Sequence, residues 1–299
     1  MKEKLIVILG TTASGKSDLG VALALRFGGE IVSADSRQVY RGMDLGSGKI
    51  TAVEMRGVPH HLLDVRTPGE FFSMADYQEL AYAAIDGIIG RGAVPFLVGG
   101  TGLYVNAITE GYVLSDKKPD LELREKLETY DTPTLYRMLR EKDPGTEIDP
   151  RNRHRVMRAI EKIAAGDEGP APRQPRYATL KIGVHYPRPV LKERIDQRLE
   201  RRLEMGMADE IRGLLDSGVS ETFLVKLGLE YKYLTWYVTG KMEYEEMKQE
   251  LGLAIKRFAK RQMIWFRRDP EIHWIDMEAD PEEEAAALIR AFLEGEEGG

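Results

Sequence analysis

Five short runs of apolar, β-rich residues punctuate the chain: LIVIL (5–9), EIVSA (30–34), VPFLV (94–98), TLKIGVHY (179–186) and IHWID (272–276). Between them lie segments with apolar positions at helical spacing, among them SDLGVALALRF (17–27) and MADYQELAYAAIDGIIGRG (74–92). Strands that are apolar throughout belong in a parallel sheet covered by helices on both faces. Their alternation with amphipathic helices supplies the crossovers such a sheet needs. The pattern predicts an α/β fold, a doubly wound parallel sheet.

The middle of the chain breaks this pattern. Residues 113–149 are helical and charged, as in LELREKLETYDTPTLYRMLREKDP (121–144), and carry no strong strand. They read as a small helical insertion, with residues 1–112 and 150–299 forming the core and its C-terminal helices. A Gly/Pro-rich stretch, AGDEGPAPRQPRY (165–177), reads as a flexible connection. Long helices resume over 188–218 and 244–266, and residues 277–299 predict an acidic surface helix with a frayed tail.

Composition narrows the classes of function. The 299 residues, 42% of them hydrophobic, suffice for one large domain and a smaller appendage. No run approaches the roughly 18 apolar residues of a membrane span, and MKEKLIVILG passes directly into a core strand without a signal pattern. A cytoplasmic protein without a membrane partner is expected, acting as a monomer. Zero cysteines exclude disulfides, thiolate zinc sites and cysteine nucleophiles, and five scattered His argue against a catalytic zinc.

The net charge of −6 speaks against nucleic acid only on average. The stretch AIKRFAKRQMIWFRR (254–268) holds six Lys or Arg and no acid. Arg257 and Arg261 fall with the other basic residues along one helical stripe, while Phe258, Trp265 and Phe266 lie off it and are expected in the core. Such a stripe is either a solvated face or a surface for RNA phosphates.

Candidate chemistry begins at GTTASGKS, residues 10–17, which matches G-x-x-x-x-G-K-[ST] at full spacing between a strand and a helix. Loop amides and a helix N-terminus attract phosphate oxygens, Lys16 adds a point charge, and the Ser17 hydroxyl can ligate Mg²⁺. The loop alone does not say what the phosphate carries.

Two further strand ends converge on the same edge, where ligands bind parallel sheets. EIVSA runs into DSRQVYRGMDLGSGK, placing Asp35 at the carboxyl end of its strand. That carboxylate could bind magnesium, cap a helix, or take a proton from a nucleophile. VPFLVGGTGLYVNAI brings Gly99, Gly100 and the Thr101 hydroxyl to the same crevice.

These residues resemble the P-loop isopentenyl transferases, specifically the bacterial tRNA dimethylallyltransferases. The matching motifs are GTTASGKS, SADSRQVYRGMDLGSGK, GVPHHLLDVRTP, VGGTGLYVNAI, DPRNRHRVMRAIE and AKRQMIWFRR, in the family's order along most of the chain. The resemblance implies a P-loop NTPase-like core whose loop holds the diphosphate of dimethylallyl diphosphate rather than a nucleoside triphosphate. It implies transfer of the dimethylallyl group to the N6 amine of the adenosine 3′-adjacent to the anticodon, in tRNAs reading codons that begin with U.

Residue by residue, the resemblance makes Asp35 the general base, Thr101 the hydroxyl at the bridging oxygen of the leaving diphosphate, and Lys16 a catalytic cation. Gly10, Thr11, Thr12, Ala13, Ser14, Gly15, Lys16 and Ser17 would hold the diphosphate, with Mg²⁺ as cofactor at Ser17. The tRNA would meet Asp35, Ser36, Arg37 and Gln38, together with His154, Arg155, Val156, Met157 and Arg158; Arg257 and Arg261 join them as the basic face. His60 and His61 sit in a matched motif and read equally as ordinary loop histidines.

The family's diphosphate-binding Arg has no aligned counterpart in FLVKLGLEYKYLTW (223–236), where Lys226 is the nearest cation and the candidate phosphate ligand. Lys would serve as a point charge, not a bidentate fork. Two other functions share the loop: a cytokinin-type transferase acting on free adenine nucleotide, which needs no long basic surface, and an ATP-dependent kinase or NTPase, which leaves DSRQVYRGMD and GVPHHL unexplained.

Overall fold

The computed structural model describes residues 2–114, 120–166 and 172–295. The chain forms two compact units, Met1–Gly111 with Pro175–Gly299, and Tyr112–Gln174. The connection expected at 165–177 and the acidic tail both lie partly outside the described residues.

The first half of the larger unit runs β1 (Lys4–Gly10), α1 (Lys16–Arg26), β2 (Gly29–Ala34), α2 (Ala52–Met55), β3 (His60–His61), α3 (Met74–Gly90), β4 (Val94–Gly99) and α4 (Gly102–Thr109). The smaller unit holds α5 (Leu121–Glu128), α6 (Thr132–Lys142) and α7 (Arg153–Ala164). The larger unit resumes with β5 (Ala178–His185), α8 (Arg188–Glu204), α9 (Met207–Asp216), α10 (Glu221–Leu227) and α11 (Leu229–Val238). It closes with α12 (Tyr244–Phe266), β6 (Ile272–Asp276) and α13 (Pro281–Glu294).

All five strands read from the apolar runs are present, and the sheet is parallel throughout, in the order β3-β2-β4-β1-β5-β6. β1 shows why. Leu5, Val7 and Leu9 face one layer with Tyr77, Ala81 and Ile85 of α3. Ile6 and Ile8 face the other with Leu19 and Leu23 of α1 and Ile289 of α13. Each strand side chain alternates faces, so a strand covered on both sides has no polar position to show. Burying each of these aliphatic side chains contributes about 1.5–3 kcal/mol.

A third cluster joins α8, α9, α11 and α12 to Val39, Tyr40 and Met43 from the segment after β2. This packing sets the C-terminal helices at the carboxyl end of β2. The span 188–218, expected as one long helix, is two: the chain turns at Gly206, whose φ of 94° no side-chain-bearing residue adopts comfortably. Among the described residues no helix is long and apolar enough to cross a membrane.

The helical unit has its own core of Leu127, Leu135, Leu139, Val156, Met157 and Ile160. It therefore takes in α7, which the sequence reading left on the core side of residue 150. Buried Glu161 joins its helices electrostatically, accepting from Arg124 at 2.8 Å and from Arg158 at 3.0 Å.

Candidate active site

The phosphate loop leaves β1 and enters α1, whose first turn has no side-chain cap. Uncapped amides at the start of a helix attract anions. Within the loop, the Thr11 carbonyl accepts from Ser14 Oγ at 2.8 Å and from Lys16 Nζ at 3.1 Å. Burial and the positive charge of Arg198 push the Lys16 amine down to about 8, with Asp35 opposing them. A cleft of about 400 Å³ opens here, lined by Lys16, Ser17, Asp35, Arg37, Arg198 and Phe258 among others.

Asp35 does not cap a helix. Residues 36–39 form turns, and Asp35 Oδ1 accepts the Arg37 amide at 2.9 Å, the geometry of an Asx turn. One carboxylate oxygen is thereby fixed while Asp35 still lines the cleft. The next residue ties in Thr101: the Ser36 amide donates to Thr101 Oγ1 at 3.2 Å. Thr101 begins α4 without capping it, beside the cleft lining rather than within it. A hydroxyl that accepts one bond can still donate its own O–H.

The neighbours of Asp35 are structural as much as exposed. Arg37 Nη1 donates to Glu230 at 3.1 Å and its guanidinium lies 5.7 Å from the centre of the Phe258 ring. Gln38 accepts from Ser33 Oγ at 3.0 Å and donates to the Gly48 carbonyl at 3.2 Å, bracing one loop against the strand.

Several residues expected from the sequence stand elsewhere. Lys226 is exposed on α10 and does not line the cleft. His154 and Arg155 are exposed on α7, whereas Val156 and Met157 are buried in the helical core. Arg158 is held by Glu161. Arg257 and Arg261 are exposed on α12, and Phe266 is in the core as expected; Phe258 instead lines the cleft. His60 and His61 form the edge strand, bonded to the Val58 carbonyl and to Glu30, which supports their reading as ordinary packing residues.

Two features escaped the sequence reading. Gln262 accepts the Thr12 amide at 2.9 Å and donates to the Gly100 carbonyl at 2.8 Å, clasping the ends of β1 and β4. Arg194, Arg198 and Arg202 also line the cleft. Their spacing of four residues on α8 puts them on one helix face, a signal that the sequence carried. Arg194 Nε donates to the Ala13 carbonyl at 3.0 Å and braces the phosphate loop from outside.

The donor set suits magnesium. Among the described residues no three His, Asp or Glu side chains gather as a metal cage. Mg²⁺ takes few protein ligands and completes its octahedron with phosphate oxygens and water, and the Ser17 hydroxyl, which lines the cleft with Lys16 and Asp35, could serve as one of them.

Residues 38–269 match the model of the IPP transferase family. The chain is 42% identical over 285 residues to the tRNA dimethylallyltransferase of Desulforudis audaxviator, covering 92% of each chain. It is 41% identical over 312 residues to that of Halalkalibacterium halodurans, covering 99% of this chain and 98% of the relative. Among solved structures, the full-length tRNA isopentenylpyrophosphate transferase of Bacillus halodurans superposes with a TM-score of 0.75 at 42% identity, over 98% of this chain and 96% of that one. A eukaryotic dimethylallyltransferase crystallised acting on tRNA gives a TM-score of 0.81 at 25% identity, over 98% and 80%. With a family match over most of its length and relatives this similar end to end, the chain belongs to the IPP transferase family.

Proposed function

We propose that the protein transfers a dimethylallyl group from dimethylallyl diphosphate to the N6 amine of the adenosine 3′-adjacent to the anticodon, in tRNAs reading codons that begin with U, and releases diphosphate. The observation that carries this is one cleft in which an anion cradle, Lys16 and the loop amides, meets the Asp35 carboxylate. The shared family and the names of the relatives support tRNA as the acceptor.

In the reaction the N6 lone pair attacks C1 of the dimethylallyl group, the C1–O bond breaks, and its electron pair leaves with the diphosphate. The N6 proton passes to Asp35. An aromatic amine is a weak nucleophile, so removing its proton as the C–N bond forms lowers the barrier. The Asx turn fixes Asp35 beforehand, which saves reorganisation at that step. Thr101, already polarised by the Ser36 amide, donates to the bridging oxygen on which negative charge develops. Lys16 and the α1 amides meet the remaining charge. Mg²⁺ at the Ser17 hydroxyl would add neutralising charge to the diphosphate when bound.

The acceptor adenosine must leave its stack to present N6, and the exposed Arg257 and Arg261 suit phosphates of the anticodon arm. The protein acts as a monomer in this reading and, with tRNA as acceptor, the reaction belongs in the cytoplasm. The test offers labelled dimethylallyl diphosphate and Mg²⁺ with unmodified tRNA, AMP or ATP. Label in tRNA alone is expected. Label in AMP or ATP would move the assignment to a cytokinin-type enzyme, and ATP hydrolysis without transfer would make the loop a nucleotide site.

A further inference from the structure

We propose that Glu210, on α9 and outside the cleft lining, is a positioning residue for the transfer: it holds residues 44–48 as the cleft wall that keeps the Asp35 turn in register with the donor. The inference rests on the transfer reading above and adds to it a residue that touches neither substrate.

One carboxylate gathers three successive backbone amides. Glu210 Oε2 accepts from Asp44 at 2.8 Å and from Leu45 at 2.6 Å, and Oε1 accepts from Gly46 at 3.0 Å. Oε1 also accepts the Tyr231 hydroxyl at 3.1 Å. Consecutive amides turned toward one anion form a nest, and bonds to a carboxylate are stronger than neutral ones. The seat is shaped for this. A β-carbon at position 46 would stand 2.7 Å from Cζ of the buried Tyr231 ring, so glycine is what lets the loop come this close. Burial and the Glu210 charge hold the Tyr231 phenol well above its ordinary range, which keeps it a donor.

What the carboxylate holds belongs to the reaction. Leu45, Ser47, Gly48 and Lys49 line the cleft with Lys16 and Asp35. The loop is tied in turn to the strand end that carries Asp35: Gln38 donates to the Gly48 carbonyl at 3.2 Å and accepts from Ser33 at 3.0 Å. Lys49 closes the ring by donating to the Tyr40 carbonyl at 2.9 Å and to the carboxylates of Asp44 and Asp64 at 2.6 and 2.5 Å. On α11, Glu230 holds Arg37 at 3.1 Å, and the next residue, Tyr231, holds Glu210. The Asp35 turn and the wall are thus fixed from one helix. The phosphate loop is braced separately, by its own bonds and by Gln262. Loss of Glu210 should therefore disturb the base while leaving the anion cradle in place, and a shift of about 1 Å at a reacting group can cost about a hundredfold in rate.

Glu210→Gln and Glu210→Leu in the full-length protein test this, with its exposed neighbour in Asp209→Asn as the control for lost charge. Folding is checked by circular dichroism and thermal melting, single-turnover transfer to unmodified tRNA is followed at saturating donor and Mg²⁺, and inorganic pyrophosphate is titrated calorimetrically. Gln keeps one oxygen for the Asp44 and Leu45 amides and turns its nitrogen on Gly46, whereas Leu keeps no acceptor. The rate is expected to fall about threefold to tenfold in Glu210→Gln and about tenfold to a hundredfold in Glu210→Leu, with pyrophosphate affinity within about threefold of wild type in both. A purely structural role would lower the melting temperature and leave the rate of the folded protein unchanged. A rate within about twofold of wild type in folded Glu210→Leu, or in Glu210→Gln should the Leu variant not fold, overturns the proposal. So does an equal loss in Asp209→Asn, or a pyrophosphate affinity that falls in step with the rate. Wild type that transfers nothing to tRNA would overturn the transfer reading, and the role of Glu210 with it.

Discussion

The backbone amide of Thr12 donates to the side-chain oxygen of Gln262 at 2.9 Å, joining the apex of the phosphate loop to a helix 250 residues away in sequence. Because Gln262 also donates to Gly100 at 2.8 Å, one side chain sets the spacing between the phosphate loop and the loop that carries Thr101. The Thr12 amide is thereby committed to protein.

Gln262→Leu keeps the size of the side chain and removes both bonds, leaving the Thr12 amide and the Gly100 carbonyl without their partner. Stability should fall by about 1–3 kcal/mol, and kcat should fall about tenfold or more as Thr101 loses its register with the loop. Thermal melting and steady-state kinetics read the two effects. An unchanged kcat would show that the clasp is dispensable for chemistry.

Asp35→Asn retains an acceptor for the Arg37 amide and so preserves the turn, while removing the base. Turnover should drop about 10²–10⁴-fold with tRNA affinity and donor KM nearly intact. Activity within threefold of wild type would assign the proton to another group.

With its amine lowered to about 8, Lys16 gives the site a pH dependence of definite sign. The folded protein loses this proton near pH 8, whereas the unfolded chain keeps it to about 10.5. The depressed value therefore costs stability below pH 8, and the cost is relieved as pH rises toward 10.5. Binding has the opposite sense, because diphosphate needs the charged amine. The kcat/KM for the donor should fall above about pH 8, and a profile flat to about pH 9.5 would mean that Lys16 stays charged in the free protein.

Replacing Arg257 and Arg261 together by Gln should reduce the dependence of log affinity for tRNA on log salt by about 1.4 to 1.8, at roughly 0.7–0.9 per phosphate contact. Filter binding across a salt series measures the slope. An unchanged slope would make this stripe a solvated face.

Much of the fold was legible because burial on both faces leaves a strand such as 5–9 no polar residue, a pattern few other elements share. β3 was not, since His60 and His61 are polar and the strand is two residues long. In the helical unit, the charges of RHRVMR drew attention from Val156 and Met157, whose burial completes a small core. That Asp35 and Lys16 would line one cleft could be read from local motifs, because each follows the end of its own strand, whereas Thr101 stands beside that lining. Gln262 was not readable, because its partners are remote in sequence. Phe258 was placed in the core from its helical phase alone, yet it faces the cleft between the charges of Arg37 and Arg261. Arg198 and Arg202 were visible as a helical face but could not be matched to the phosphate loop without the fold.

The central claim is that the cleft couples departure of diphosphate to alkylation of a tRNA adenosine. A single-turnover reaction with unmodified tRNA, dimethylallyl diphosphate and Mg²⁺, without ATP, measures it by counting inorganic diphosphate against prenylated adenosine in the digested tRNA. One diphosphate per N6-prenylated adenosine, mapped 3′ to the anticodon, is the predicted result. Diphosphate released without modified adenosine, or prenyl found at another position, would contradict it.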